Sequence, residues 1–287
     1  MSPDSLAVVL QVFAYATLLQ AAGVAVFSVL FGPRLSRSVE AIRRLGRLSA
    51  LAAAVLLGAR YALEPARMAD DWSGIFDASL QHLVFASPLA AVLIVRLLGL
   101  CLVALALSRN SRVGRFAAVA GPVLISLSFT LSGHTATHTA RVVLAPLLAL
   151  HVLIVSFWFG SLLPLYIASA RERADVAAKA TTAFSAIATW LVPAIAVAGL
   201  VMTVTLVNGL GVFRQPYGES LIAKIVGFSV LMVLAAINKW KLGAAIGTGD
   251  SRAASKFRIV LTAEHALIAA VLVVTVVMTT LYSPDTP

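Results

Sequence analysis

The sequence predicts an all-α polytopic membrane protein with eight transmembrane helices and both termini outside. Three observations carry that prediction. The 287 residues are 60% hydrophobic and 12% charged, with a mean hydropathy of +0.97. A water-soluble domain of this length has too much surface to hide so much apolar side chain. The apolar residues gather in eight runs, each long enough or nearly long enough to cross a bilayer as a helix. Basic residues fall almost wholly in alternate gaps between those runs. This composition excludes an ordinary soluble enzyme, a disordered chain and a disulfide scaffold, and the single cysteine, Cys101, lies within an apolar run. The formal charge of +10 is spread through short gaps, so it speaks for membrane topology and against nucleic acid.

The runs are 6–31, 48–63, 82–107, 116–131, 142–168, 183–207, 221–236 and 259–282, read together as a single membrane domain, 1–287, with no soluble subdomain. They are too uniformly apolar for barrel strands, which alternate with period two. Runs 48–63, 116–131 and 221–236 are short and need flanking residues to complete the crossing. The first run has no basic leader and is too long for a signal core, so it is read as a retained helix. Gly23, Gly99, Gly160, Gly199 and Gly227 permit close helix approach.

Charge bias sets the expected orientation. With gap 32–47 placed inside, the inner gaps hold sixteen Lys and Arg residues, while the outer segments hold only Arg67, Arg141 and Arg214. Asp4, Glu64, Asp70, Asp71, Asp77, Glu219 and Asp285 fall outside. The longest outer segment, 64–81, carries Trp72, Phe76 and an acidic face and is expected to form a short interfacial helix or lid. The longest inner loop, 239–258, contains Gly243, Gly247 and Gly249 and is expected to be flexible.

Ionisable groups inside spans point to function, because hydrocarbon makes them costly unless they face a partner or a wet cavity. They are Arg60, Arg96, His151, Lys224, Glu264 and His265. Arg60 and Lys224 sit near outer helix ends, where snorkelling accounts for them. Arg96 lies near the middle of the third span. A contact with Glu264 would satisfy both, and would equally serve only to lock two helices together.

Four of the five histidines, His82, His134, His138 and His151, map to the outer half. His134 and His138 are four apart and share one face if that stretch is helical, a spacing suited to one metal ion. Met202 and Met278 also fall near outer helix ends, with Met68 in the outer segment. Imidazole alone does not pick the metal; with thioether it suits Cu(I), and on its own it also suits Cu(II). Each Met serves equally well as flexible core filling, and the His pair as hydrogen-bonding groups. A b-type haem is a second reading, with His151 and His134, or His82 and His134, facing across a porphyrin; no sequence-close pair of mid-span histidines supports it. Hydrolytic chemistry is not expected: the chain has no H-E-x-x-H, no G-x-S-x-G and no Walker-type loop.

Several stretches resemble the copper-resistance D (CopD/PcoD) family. Ser132-Gly133-His134, then Leu150-His151, then Phe157-Trp158-Phe159-Gly160-Ser161-Leu162-Leu163-Pro164-Leu165 are similar to its "GH … LH … W-x-G-x-L-P-L" core. Pro216-Tyr217-Gly218-Glu219-Ser220-Leu221-Ile222-Ala223-Lys224 resembles the "YG-x-x-L-x-x-K" entry to its seventh helix, and Ala235-Ala236-Ile237-Asn238-Lys239-Trp240-Lys241-Leu242 the "A-x-N-R/K-x-x-L" exit. Ala263-Glu264 resembles the acid early in the last helix; His265 and the residues flanking Gly160 depart from the pattern. The match is best over about 130–280.

The resemblance implies a bacterial inner-membrane protein that handles copper, moving it from periplasm to cytoplasm, and a small periplasmic copper-binding partner of the CopC type. On that reading His134 and His138 capture the ion, with His82 as a third ligand. His151 takes it into the bundle with Met202 or Met278, and Glu264 and His265 receive it on the inner side. A non-transporting copper-delivery or assembly factor is the third reading.

Overall fold

A computed structural model describes residues 2–109, 111–207, 209–242, 246 and 250–282. Gly243, Gly247, Gly249 and Asp285 lie outside the described residues, as does the side chain of His134. Among the described residues the chain is helical throughout, and eight long helices are apolar enough to cross a membrane. We number them α1 (Pro3–Phe31), α2 (Val39–Ala62), α3 (Pro88–Ser108), α4 (Arg112–Ser128), α5 (Arg141–Arg171), α6 (Ala174–Leu206), α7 (Pro216–Ile237) and α8 (Ser251–Leu281). Successive helices run in opposite directions, so one end of the bundle gathers the acidic segment 64–81 and the other the basic gaps.

Local chemistry sets the boundaries. Ser2 caps α1, with Pro3 in its first turn. The third run is not one helix from His82. Asp77 caps a short helix, Ala78–Ala86, through the Ser79 and Leu80 amides, and Ser87-Pro88 then restarts the chain as α3. His82 therefore stands outside the third span. Ser111 caps α4 and Asp250 caps α8. The short runs are completed by charged flanks: α2 begins nine residues before position 48, and α7 runs into a π-helical turn, Asn238–Leu242. Segment 64–81 folds as a helix, Glu64–Ala69, and a 3₁₀ turn, Trp72–Phe76, joined through a left-handed Asp70 (φ 53°). Asp4, Arg67, Glu64 and Arg60 form a chain of ion pairs that ties this segment to both α1 and α2.

Helices α1 and α5 form the centre. α1 packs against α2, α3, α4, α5 and α8, and α5 against α1, α4, α6 and α8. Two glycines bring them together. A Cβ on Gly23 would lie 2.0 Å from the Ser156 carbonyl oxygen, and one on Gly160 2.6 Å from Gly23 Cα, so the backbones touch. Gly99 and Gly121 make a similar contact between α3 and α4. Pro164, inside α5, has no N–H for the carbonyl of Gly160 four residues earlier. The buried Gln20 of α1 supplies the missing donor, Nε2 to the Gly160 oxygen at 3.1 Å. At the basic end, Glu172 in the α5–α6 turn accepts from the Ser36, Arg37 and Ser38 amides and from the Ser36 and Ser38 hydroxyls, joining that turn to the start of α2.

Candidate functional site

Helices α6 and α7 are the least buried of the spans. α6 packs against α5, α7 against α8, and α5 against α8, leaving between α6 and α7 a groove to which His151 and Lys224 belong. On α5, His151 and Trp158 are seven residues apart, so they share a face about two turns, or roughly 10 Å, apart.

His151 is half-buried, and its Nδ1 has no hydrogen-bond partner. Its ring faces the Ile195 carbonyl of α6 and the charge of Lys224 on α7. Gly199 of α6 leaves room beside it: a Cβ there would meet only His151 Cε1, at 3.9 Å. Met202, half-buried, stands one turn further along α6 towards the acidic end. Lys224, half-buried on α7, lies within electrostatic reach of His151. Arg60 is paired with Glu64 in a partly buried network.

Two turns closer to the basic end, Glu264 is 2% exposed. Its carboxylate accepts from Asn238 Nδ2 at 2.6 Å, and the Trp158 side chain also hydrogen-bonds to it. Three helices thus converge on one carboxylate. Trp158 packs edge-on against Phe228 of α7, with ring centroids 6.4 Å apart. His265, the next residue, stacks on Phe159 at 4.3 Å and 11°, with its Nδ1 buried and unpartnered.

Arg96 and Glu264 are not paired, contrary to the contact the sequence allowed. Arg96 is buried between α1 and the end of α4: its Nε donates to Ser128 Oγ at 3.1 Å and its guanidinium lies over the rings of Tyr15 and Phe129 at 5.1 and 4.6 Å. Depth explains the difference, because Arg96 faces the acidic half and Glu264 the basic half. Cation–π contact and hydroxyls take the place of a carboxylate.

The other candidates are more scattered. His82 is exposed on its short helix at the acidic end. His134 opens a single helical turn, His134–Thr137, and its side chain lies outside the described residues. His138 falls just past that turn, half-buried, where its Nδ1 accepts from the Ala140 amide at 3.0 Å. Its Nε2 is the ring nitrogen left for a ligand. Met278 is buried with Val212 and Tyr217 in a small apolar cluster. Among the described residues no three His, Cys, Asp or Glu side chains gather at one point, and His151 faces Gly199 and Lys224, not a second described imidazole.

Sequence reasoning missed the roles of Gln20, Asn238 and Glu172. A signal existed for Gln20, a lone amide inside an otherwise apolar helix, and for Pro164, whose missing N–H demands an outside donor.

The fold and this groove define a multi-pass membrane protein whose polar groups lie between helices. A family model described as "Copper resistance protein D" matches residues 178–278, and one described as "Copper resistance protein D-like, N-terminal domain" matches residues 1–143. The chain belongs to the copper resistance protein D family. The second match extends the kinship towards the N-terminus, beyond the motifs quoted above, which begin at Ser132. Comparison with curated proteins and with solved structures found no match.

Proposed function

We propose that the protein conducts copper ions across the bacterial inner membrane, from the acidic, periplasmic end to the basic, cytoplasmic end. The observation that carries this reading is the placement of His151, with its unpartnered Nδ1, two turns from the Glu264 carboxylate along one face of α5. Family membership supports copper as the cargo, and the charge asymmetry of the gaps supports the orientation.

Copper arrives at the acidic segment 64–81, where Asp70, Asp71 and Asp77 are exposed to a CopC-like periplasmic donor. His138 Nε2 and His134 capture it, with His82 nearby in sequence order but exposed. The ion passes Met202 to His151, then to Glu264. His265 and Met278 are auxiliary positions. A row of sparse sites suits transfer, because a single very tight site would hold the ion. Imidazole and thioether accept Cu(I), and imidazole with carboxylate accepts Cu(II). Inward movement of one positive charge gains about 2.3 kcal/mol per 100 mV of inside-negative potential, so no nucleotide is needed.

Proteoliposomes test the proposal. The wild type accumulates copper in the lumen, whereas His151→Ala and Glu264→Gln lower the rate by tenfold or more. Copper bound without accumulation assigns the chain to delivery or assembly instead, and a Soret band in the purified protein assigns it to haem.

A further inference from the structure

A second, wholly apolar cavity of about 270 Å³ lies on the other side of α5, bounded by α1, α4, α5 and α6. Val26, Val119, Pro122, Leu153, Phe157 and Ile187 are among its lining residues. It opens sideways between α4 and α6, which do not pack closely against each other among the described residues. Its lining lies well inside the spans, at hydrocarbon depth, so the occupant it suits is a hydrocarbon chain.

The basic end of the same crevice is charged. Arg115 precedes Val119 by four residues on α4, so both lie on one face, with Pro122 and Val123 following. Arg34 ends the 3₁₀ turn Gly32–Arg34 that follows α1, just beyond Leu30 at the basic end, and on α6, Lys179 begins the row that continues through Ala183, Ile187 and Leu191. Side chains on α4 and α6 tilt towards their N-termini, which here is the basic end. Arg115 and Lys179 therefore reach towards the headgroup level above the cavity. Arg34, Arg115 and Lys179 are all exposed, and among the described residues none has a carboxylate partner. The acidic groups at this end are already engaged: Glu40 with Arg47, Asp175 with Arg173, Asp250 with its own helix cap and Glu172 with Ser36–Ser38.

We infer that this crevice is a binding site for an anionic phospholipid, with one acyl chain between α4 and α6 and the phosphate headgroup held by Arg34, Arg115 and Lys179. Apolar lining alone takes any lipid; three unpaired cations at its mouth select a negative headgroup. The site is separate from the copper groove, and its test does not depend on copper.

The test is lipid retention by the full-length protein, purified in detergent and read by native mass spectrometry. The probes are dioleoylphosphatidylglycerol and dioleoylphosphatidylcholine, which share their acyl chains and differ in net charge. The wild type retains the anionic lipid about tenfold better than the zwitterionic one. R115Q/K179Q loses most of that tenfold preference and leaves phosphatidylcholine retention unchanged. L153W, which fills the cavity, lowers retention of both lipids. Equal retention of the two lipids by the wild type overturns the inference without reference to any variant. An unchanged preference in R115Q/K179Q overturns the assignment of the headgroup to these cations.

Discussion

Asn238 donates its amide to Glu264 at 2.6 Å, across the junction where α7 gives way to a π-helical turn. The bond joins the asparagine of a family-like motif at the end of one helix to a buried carboxylate on the next. It also fixes where that carboxylate points, towards Trp158 and the groove. A buried acid loses much if either donor is removed, because the remaining polar atoms cannot turn to water.

Asn238→Leu should destabilise the folded protein by about 1–3 kcal/mol, the usual cost of orphaning a buried polar group. Asn238→Asp should be worse, since it sets a second carboxylate against the first. Thermal unfolding in detergent would rank the three proteins. A Leu variant as stable as the wild type would remove Asn238 from its positioning role.

Gln20 and Pro164 make a coupled pair through the Gly160 carbonyl. Gln20→Leu leaves that carbonyl without a donor and should cost about 1–3 kcal/mol. Pro164→Ala restores a backbone N–H for the same oxygen, so in that background Gln20→Leu should cost much less. A double-mutant cycle measures the difference, and simple additivity would mean the two residues act separately.

Gly23 and Gly199 predict opposite outcomes for the same substitution. Gly23→Ala forces a Cβ to within 2.0 Å of the Ser156 carbonyl oxygen, whereas at Gly199 the nearest atom is 3.9 Å away. Gly23→Ala should cost about 1–3 kcal/mol or prevent assembly of α1 on α5. Gly199→Ala should fold normally. Size-exclusion profiles and unfolding temperatures of the pair provide the check.

Glu172 predicts a pH dependence. Partial burial pushes its carboxyl up, but the Ser38 hydroxyl and the Ser38, Arg37 and Ser36 amides outweigh that effect and hold it below its ordinary range. A group whose folded value is lowered stabilises at neutral pH and loses that contribution as pH falls through the carboxylate range, about 4 and below. Wild type should therefore be more stable than Glu172→Gln at pH 7, and the gap should close on acidification. A gap that persists in acid would assign the stabilisation to something other than this charge.

Much of the fold was legible because bilayer thickness imposes one length on every span, and a run of apolar residues reports it directly. The charged flanks hid the true ends. α2 begins at Val39, but Arg43, Arg44 and Arg47 break the apolar pattern over its first turns, although they cost a helix nothing at the interface. Ser87-Pro88 did carry a start signal, overlooked because the apolar run continues through it. Of the candidate site, Glu264 and His151 could be named from their burial cost alone. Their surroundings could not, because Asn238 and Trp158 reach Glu264 from helices that are distant in the chain. Arg96 shows the same limit: its partners are two rings and a hydroxyl, which carry no charge for pattern reading to match.

The central place of α1 has a consequence for how the chain is made. α1 leaves the ribosome before α5, one of the helices that gather around it, yet its Gln20 amide finds its acceptor only on α5. Until α5 has been synthesised, that amide and the notch at Gly23 face lipid or an insertion factor. Nascent chains stopped before α5 should therefore remain bound to the insertion machinery, and release should begin once the Gly160 carbonyl arrives.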